Sequence, residues 1–353
     1  MRIGIDAAPL AAEGGGITRY AGELSLALAR CFPEDEFVLL SGQPFRPPRA
    51  APPNLTAAAP ARGPLEQRWW SAGLPLRLVR ERIEVFHGCD FSVPYLPVRP
   101  SVMTLHDLSP WLPEYAPAGA DRVRRRAPAL IGLGLATLIV TPGEAVRRQA
   151  IGRFRLDPGR VAAIPLAAPS RFRPVPRAGG GKPYFLFLGN LDRRKNLALL
   201  IEAWRELSRC CEVELVLAGR RREDTPPFPP LDGLRLAGPV AENDLPALYS
   251  GCVAFLYPSL YEGFGLPVLE AMQCGAAVMV SRDPALVETA GEAGIVLDGG
   301  NPGEWAEAML AAVLRPDWLQ ARREASLRRA AAFSWESTAR RTREVYDEAA
   351  ARF

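Results

Sequence analysis

Short apolar runs alternate with segments of helical length along almost the whole chain, and that alternation confines it to an α/β fold built on parallel sheets. In the first half the runs fall at 2–5, 37–40, 85–87, 101–105, 137–141 and 160–164, with helices expected over 17–31 and 143–152. In the second half they fall at 184–189, 214–218, 234–236, 253–257, 276–280 and 294–297. Helices are expected there near 196–207, 242–251, 266–274, 284–290, 302–314 and 317–333. A last helical segment, 334–351, opens on Ser334, a residue type suited to capping a helix N-terminus. The proline-, alanine- and arginine-rich stretch 44–64 reads as a loop excursion. Residues 171–181, with Pro174, Pro176 and Gly179-Gly180-Gly181, read as an interdomain linker. A chain of 353 residues exceeds what one core usually serves, so two doubly wound domains are expected, 1–170 and 182–334, with a ligand-binding cleft between them.

Composition removes several functions. The net charge of +4 comes from local arginine clusters, and no compact basic motif with interleaved aromatics is present, so nucleic acid is not an expected partner. The six cysteines form no CxxC pair and there are only two histidines, so a zinc site has almost no ligands to draw on, and with no acidic DxD-type site near Arg194 and Lys195 no metal or other cofactor is expected. Irregular cysteine spacing suggests reduced thiols and a cytoplasmic home. The opening Arg2-Ile3-Gly4-Ile5-Asp6 reads as a strand rather than a signal peptide, and the most apolar stretch, 127–140, is too short to span a bilayer.

The chemistry concentrates in Pro258-Ser259-Leu260-Tyr261-Glu262-Gly263-Phe264-Gly265-Leu266-Pro267-Val268-Leu269-Glu270-Ala271-Met272. A buried strand, a glycine-containing loop and a helix follow one another there, the order in which doubly wound sheets present ligands. Glu262 falls in the loop and Glu270 in the helix; carboxylates accept hydrogen bonds only, so hydroxyls of a sugar or ribose are their natural partners. Arg193-Arg194-Lys195, after the strand that opens the second half, reads either as a solvated loop or as a diphosphate site, where Arg grips in a fork and Lys meets the charge as a point. Gly14-Gly15-Gly16, between the first strand and its helix, permits close approach of an anion or sugar. His106 ends the strand 101–105 and so faces the crevice, and Asp107 either orients its ring or caps the next segment. His87 also ends a strand but has no partner pattern, which marks it either as structural or as a support behind the site residues.

These residues resemble the retaining glycosyltransferases of family 4, whose GT-B architecture sets two Rossmann-like domains face to face. The similarity runs nearly end to end, through Gly4-Ile5-Asp6, residues 14–20, Thr104-Leu105-His106-Asp107-Leu108, the run 188–197, Leu217-Ala218-Gly219, the two-glutamate segment and Phe333-Ser334-Trp335-Glu336. The resemblance implies that Lys195 and Arg194 hold the donor's diphosphate, Glu270 the ribose and Glu262 the transferred sugar. It places Gly189, Gly219 and the amides around Phe264, Gly265 and Leu266 along the donor. Gly15 and Gly16 would approach the donor from the first domain, and His106 would bind the sugar or acceptor. It also implies that the helix 335–353 packs back on the first domain. Asn190 stands where many members carry an arginine, Pro165-Leu166-Ala167 where they carry Pro-x-Gly, and Thr141 where they carry serine.

The stretches around His106 and Asn196 look most like mannosyltransferases of bacterial surface-polysaccharide assembly, which implies GDP-mannose as donor and a glycan or lipid-linked acceptor. A nucleotide-sugar 2-epimerase and a non-catalytic sugar-nucleotide-binding protein share the architecture. Trp69-Trp70, with Arg62, Arg68, Arg77, Arg80 and Arg82, reads either as a docking surface for an anionic membrane or as a packed amphipathic helix.

Overall fold

A computed structural model describes the chain except residues 13, 60, 62, 177–180, 223, 224, 226 and 229, so Arg62 and the linker residues Gly179 and Gly180 lie outside the described residues. The chain divides into two compact units, Met1–Leu166 with Ser334–Phe353, and Ala167–Phe333.

In the first unit the strands are β1 (Arg2–Asp6), β2 (Glu36–Leu40), β3 (Leu55–Ala57), β4 (Val85–Gly88), β5 (Ser101–Thr104), β6 (Leu138–Thr141) and β7 (Val161–Ala163). They form one parallel sheet in the order β3-β2-β1-β4-β5-β6-β7. Strands β4, β5 and β6 are buried at every residue, as expected of a parallel sheet covered on both faces. The order reverses between β1 and β4, the place where such sheets open a crevice beyond their strand ends.

Two pieces of this unit escaped the sequence pattern. Strand β3 lies inside the expected loop excursion: only three residues long and flanked by prolines, it is held in place by Asn54, whose Nδ2 reaches the carbonyls of Ala29, Phe32 and Asp35 at 3.0–3.1 Å. The helix Asp121–Gly132 carries an interior Pro128 and a run of arginines that blur its period. Trp69–Gly73 forms one π-helical turn leading into the helix Leu74–Arg80. Trp69 and Trp70 pack against the buried cluster of Val38, Leu40, Leu74, Leu78, Ile83 and Phe86, while Arg77 and Arg80 pair with Glu66. That is the packed amphipathic arrangement rather than a row of free tryptophans and cations.

The helix Trp335–Arg352 closes the first unit. Its Thr338 hydroxyl donates to the Pro165 carbonyl at 2.7 Å, Arg343 pairs with Asp35, and Ala339, Val345, Tyr346 and Ala349 are buried. Ser334 caps it, accepting from the Ser337 N–H at 3.1 Å. Ser334→Ala is expected to lower stability by about 1 kcal/mol, read as a small drop in the thermal midpoint.

The second unit carries β8 (Tyr184–Leu188), β9 (Glu214–Ala218), β10 (Leu234–Gly238), β11 (Ala254–Tyr257), β12 (Ala277–Ser281) and β13 (Ile295–Leu297), all parallel, in the order β10-β9-β8-β11-β12-β13. This is the dinucleotide-fold order, with its reversal between β8 and β11. At Gly219 (φ +131°) a Cβ would fall 1.7 Å from the Gly189 carbonyl oxygen, so the loops after β8 and β9 touch backbone to backbone and admit no side chain. The expected linker is not free chain. Residues 167–176 belong to the second unit: Phe172 is fully buried against Tyr249, the Val175 N–H donates to Ser250 Oγ, and the Pro169 carbonyl accepts from Gln273. The apolar Phe172 anchors what the prolines make look like a spacer.

Candidate active site

The second unit brings Lys195 and Glu262 together at its switch point. Lys195 closes the short turn Arg193–Lys195 after β8, and Glu262 lies in the loop after the neighbouring strand β11, whose Phe255 pairs with Leu186. The Lys195 ammonium forms an ion pair with Glu262 Oε1 and donates to the Tyr257 hydroxyl at 2.8 Å, 4.9 Å from that ring's centroid. Lys195 is 5% exposed and Glu262 8%. Ser259 Oγ donates to the same carboxylate oxygen of Glu262. Burial alone would raise the Glu262 carboxyl, but Lys195 and Arg194, with the bonds from Lys195 and Ser259, hold it below the usual carboxylate range. Tyr257 sits between Phe187 and Phe255, stacked 5.6 Å from each, and burial together with the Glu262 charge pushes its hydroxyl up.

The loop that carries Glu262 is fixed from behind by Asp283. Its Oδ1 accepts from the N–H groups of Ala285 and Leu286, capping the helix Pro284–Ala290, and its Oδ2 accepts from the Glu262 N–H at 3.3 Å. Burial, with Glu262 nearby, raises Asp283 to about 6. The loop then enters the helix Leu266–Gln273 through Gly265, whose φ of +91° disfavours a side chain and where a Cβ would fall 2.6 Å from Leu286 Cδ2. Phe264 is buried against Phe333, and its carbonyl accepts from Thr289.

Glu270 lies within that helix, 1% exposed, and accepts from the Tyr249 hydroxyl at 3.0 Å, a partner separate from the Lys195 group. Arg194 is half-buried, and its carbonyl accepts from the Leu260 N–H at 2.9 Å, tying the two loops together. Gly189 and Gly219 have a structural duty, the backbone contact described above. Among the described residues, no group of three His, Cys, Asp or Glu side chains is placed to hold a metal, and no helix is long and apolar enough to cross a membrane.

The first unit has a cavity of about 470 Å³ at its own switch point, lined by Asp6, Gly15, Gly16, Thr18, Trp70 and Asp90 among others. Asp6 ends β1 and Asp90 follows β4. Asp6 is 1% exposed; burial raises its carboxyl to about 7, opposed by the Ala8 N–H and reinforced by Asp90. His106 donates from Nε2 to the Cys89 carbonyl at 2.7 Å and packs edge-on against Tyr20. Of the two roles open to Asp107, the structure shows the cap: its Oδ1 accepts from the Ser109 N–H at 2.8 Å and from the Ser109 hydroxyl at 2.7 Å, at the start of the turn Ser109–Trp111. His87 is fully buried, 2.6 Å from the Tyr346 hydroxyl and 2.7 Å from Thr104 Oγ1, and burial drives it down to about 3.

Sequence reasoning overlooked Tyr257, Ser259, Asp283, Asp6 and Asp90. Tyr257 immediately precedes the quoted segment and Ser259 lies inside it without a role assigned, and Asp283 before Pro284 is a helix-start signature that was there to be read. Nothing local marked Asp90.

Residues 14–171 match the model of Glycosyltransferase Family 4, and residues 182–314 that of Glycosyl transferases group 1. The chain is 32% identical over 285 residues to O-antigen chain mannosyltransferase B of Escherichia coli, covering 74% of each protein. It is 35% identical over 120 residues to D-inositol 3-phosphate glycosyltransferase of Thermobispora bispora, which is 33% of this chain and 28% of that protein. In fold it resembles sucrose-phosphate synthase of Thermosynechococcus elongatus, at TM-score 0.72, 19% identity and 98% coverage of both chains. HepE of Anabaena, in complex with UDP and glucose, gives TM-score 0.70 at 17% identity, again covering 98% of both. The chain belongs to glycosyltransferase family 4 and has the GT-B type of paired Rossmann-like domains.

Proposed function

We propose that the protein transfers mannose from GDP-mannose to a glycan or lipid-linked glycan, with retention at the anomeric carbon and without a metal, in the assembly of a cell-surface polysaccharide. The observation that carries this reading is the buried Lys195–Glu262 pair, with Arg194 beside it, at the switch point of the second unit. As the donor's C1–O bond breaks, the electron pair passes to the diphosphate. Lys195 and Arg194 are fixed cations at the place where that charge collects, and such preorganised groups are worth about 3 kcal/mol each in barrier. Glu262, already ionised, accepts hydrogen bonds from hydroxyls of the sugar. The acceptor hydroxyl attacks C1 on the face the diphosphate leaves, its proton passing to a departing phosphate oxygen. The amides around Phe264, Gly265 and Leu266 line the donor, and Glu270 takes the ribose hydroxyls through an exchange of its Tyr249 bond.

Mannose is favoured by the Escherichia coli O-antigen mannosyltransferase and by a 37% match over 106 residues to the serotype-specific mannosyltransferase WbdA of Escherichia coli, 30% of this chain and 13% of that protein. HepE, crystallised with UDP-glucose, keeps the uridine donors as the competing case. Neither the 2-epimerase nor the non-catalytic reading gains support from these relatives. Thermal unfolding with GDP-mannose, UDP-glucose and ADP-glucose decides the donor. At one hundred times its Kd a ligand adds about 2.7 kcal/mol, and GDP-mannose is expected to give the largest shift. Glu270→Ala should abolish that shift; a larger response to UDP-glucose would overturn the donor assignment and leave the family untouched.

A further inference from the structure

The segment at the end of β12 and in the helix after it reaches back to the Glu262 loop at three separate backbone groups. Ser281 Oγ donates to the Ser259 carbonyl at 2.5 Å, Asp283 Oδ2 accepts from the Glu262 N–H at 3.3 Å, and Thr289 Oγ1 donates to the Phe264 carbonyl at 2.5 Å. All three side chains are buried. We propose that Ser281, Asp283 and Thr289 form a clasp that sets where the Glu262 carboxylate stands, and that Asp283 is a positioning residue for the donor's sugar as well as a helix cap. What Glu262 does there rests on the transferase reading above; that the clasp holds the loop does not.

Three observations carry the assignment. The first is how Asp283 divides its carboxylate. Oδ1 takes the N–H groups of Ala285 and Leu286 at 3.0 and 3.1 Å, which caps the helix Pro284–Ala290, while Oδ2 reaches a residue 21 positions upstream. The cap needs only one acceptor atom, and serine, threonine or asparagine would supply it. The second is what the carboxylate costs. Asp283 is 7% exposed and faces the charge of Glu262, and burial together with that neighbour raises it to about 6. A neutral cap would escape both penalties, so the second oxygen, turned to the loop, is what sets a carboxylate apart at this position.

The third is what the clasp reaches. Ser259, held at its carbonyl by Ser281, donates its own hydroxyl to Glu262 Oε1. Asp283 holds the main chain of Glu262, and Thr289 holds Phe264 just before the left-handed turn at Gly265. Main chain and carboxylate of Glu262 are therefore braced from one segment. Lys195 and Glu270, assigned above to the diphosphate and the ribose, stand on other elements, the turn Arg193–Lys195 and the helix Leu266–Gln273. The clasp thus bears on the sugar end of the donor.

The test compares Asp283→Ser and Asp283→Asn with the wild type, all as the full chain. Each keeps a capping oxygen; serine is too short to reach the Glu262 N–H as well, and asparagine turns an NH2 toward it. In the protein without ligand, amide hydrogen exchange is expected to quicken about tenfold or more over 259–264 and to stay within about twofold over 285–290. Thr289→Val, which leaves the cap in place, should quicken the same loop. Titration calorimetry then compares GDP-mannose with GDP, and UDP-glucose with UDP. For the pair that binds, the Asp283 variants should weaken the sugar nucleotide about tenfold and the bare diphosphate less than about twofold. Unchanged exchange over 259–264 in all three variants, or equal quickening over 285–290, would overturn the clasp. Equal weakening of sugar nucleotide and diphosphate, or of neither, would overturn the positioning role. If the wild type binds none of the four nucleotides, the transferase reading falls, Asp283 loses its role toward a donor, and the exchange result alone decides the clasp.

Discussion

Lys195→Ala is expected to lose about 10²–10³-fold in turnover and, separately, several kcal/mol of stability in the second unit. The sequence alone suggests a clean loss of activity with folding intact. The geometry says otherwise, because Lys195 is 5% exposed and neutralises a carboxylate that is itself 8% exposed. Removing one partner of a buried pair leaves an uncompensated charge, at about 3–5 kcal/mol. Glu262 would then drift up from its depressed value and take a proton. The double variant Lys195→Met with Glu262→Gln should therefore recover most of the lost stability and none of the activity. Calorimetry of the wild type, both single variants and the double variant measures the coupling. An unchanged melting curve for Lys195→Ala would remove the pair from the account of stability, and near-normal turnover would remove Lys195 from the account of catalysis.

The second large effect lies in the first unit, where two buried groups titrate against each other. His87 is held neutral in the fold, its value taken from 6.5 to about 3 by burial, with His106 adding to the fall. Between those values the unfolded chain binds more protons than the folded one, so stability is lost as pH falls, by about 1.4 kcal/mol per unit at most. Asp6 behaves oppositely: raised from 3.8 to about 7, it favours the fold when protonated, and its stabilisation is lost as pH rises through that window. Between about pH 4 and 6.5 the two slopes largely cancel. His87→Asn should uncover a stability that falls with rising pH, and Asp6→Asn one that climbs with it, the two curves diverging by several kcal/mol. Parallel curves for the two variants, followed by thermal unfolding from pH 4 to 8, would refute the pairing.

The sequence exposed the second unit's site better than the first's. Glu262, Gly265 and Glu270 share one stretch, and Lys195 follows a strand run, so strand-loop-helix order alone aims them at one crevice. What it left hidden is that Glu270 turns to Tyr249 and that Lys195 is neutralised in the resting fold, since both depend on side-chain burial. In the first unit, Asp6 and Asp90 stand 84 positions apart and meet only because β4 pairs with β1; no local pattern joins them. Strand β3 was invisible because a three-residue edge strand between prolines has no room for a period. Phe172 was overlooked because prolines and glycines around it dominate the composition.

The excursion of the chain through Ala167–Phe333 before it returns with Trp335–Arg352 has a consequence for biosynthesis. During vectorial translation the first sheet emerges whole, yet the imidazole of His87 must wait for Tyr346, and the outer side of Gly16–Cys31 stays wet until Ala339, Val345 and Ala349 arrive. The contiguous unit has no such delay. All of its segments have been synthesised before the helix Trp335–Arg352 that the first unit still lacks.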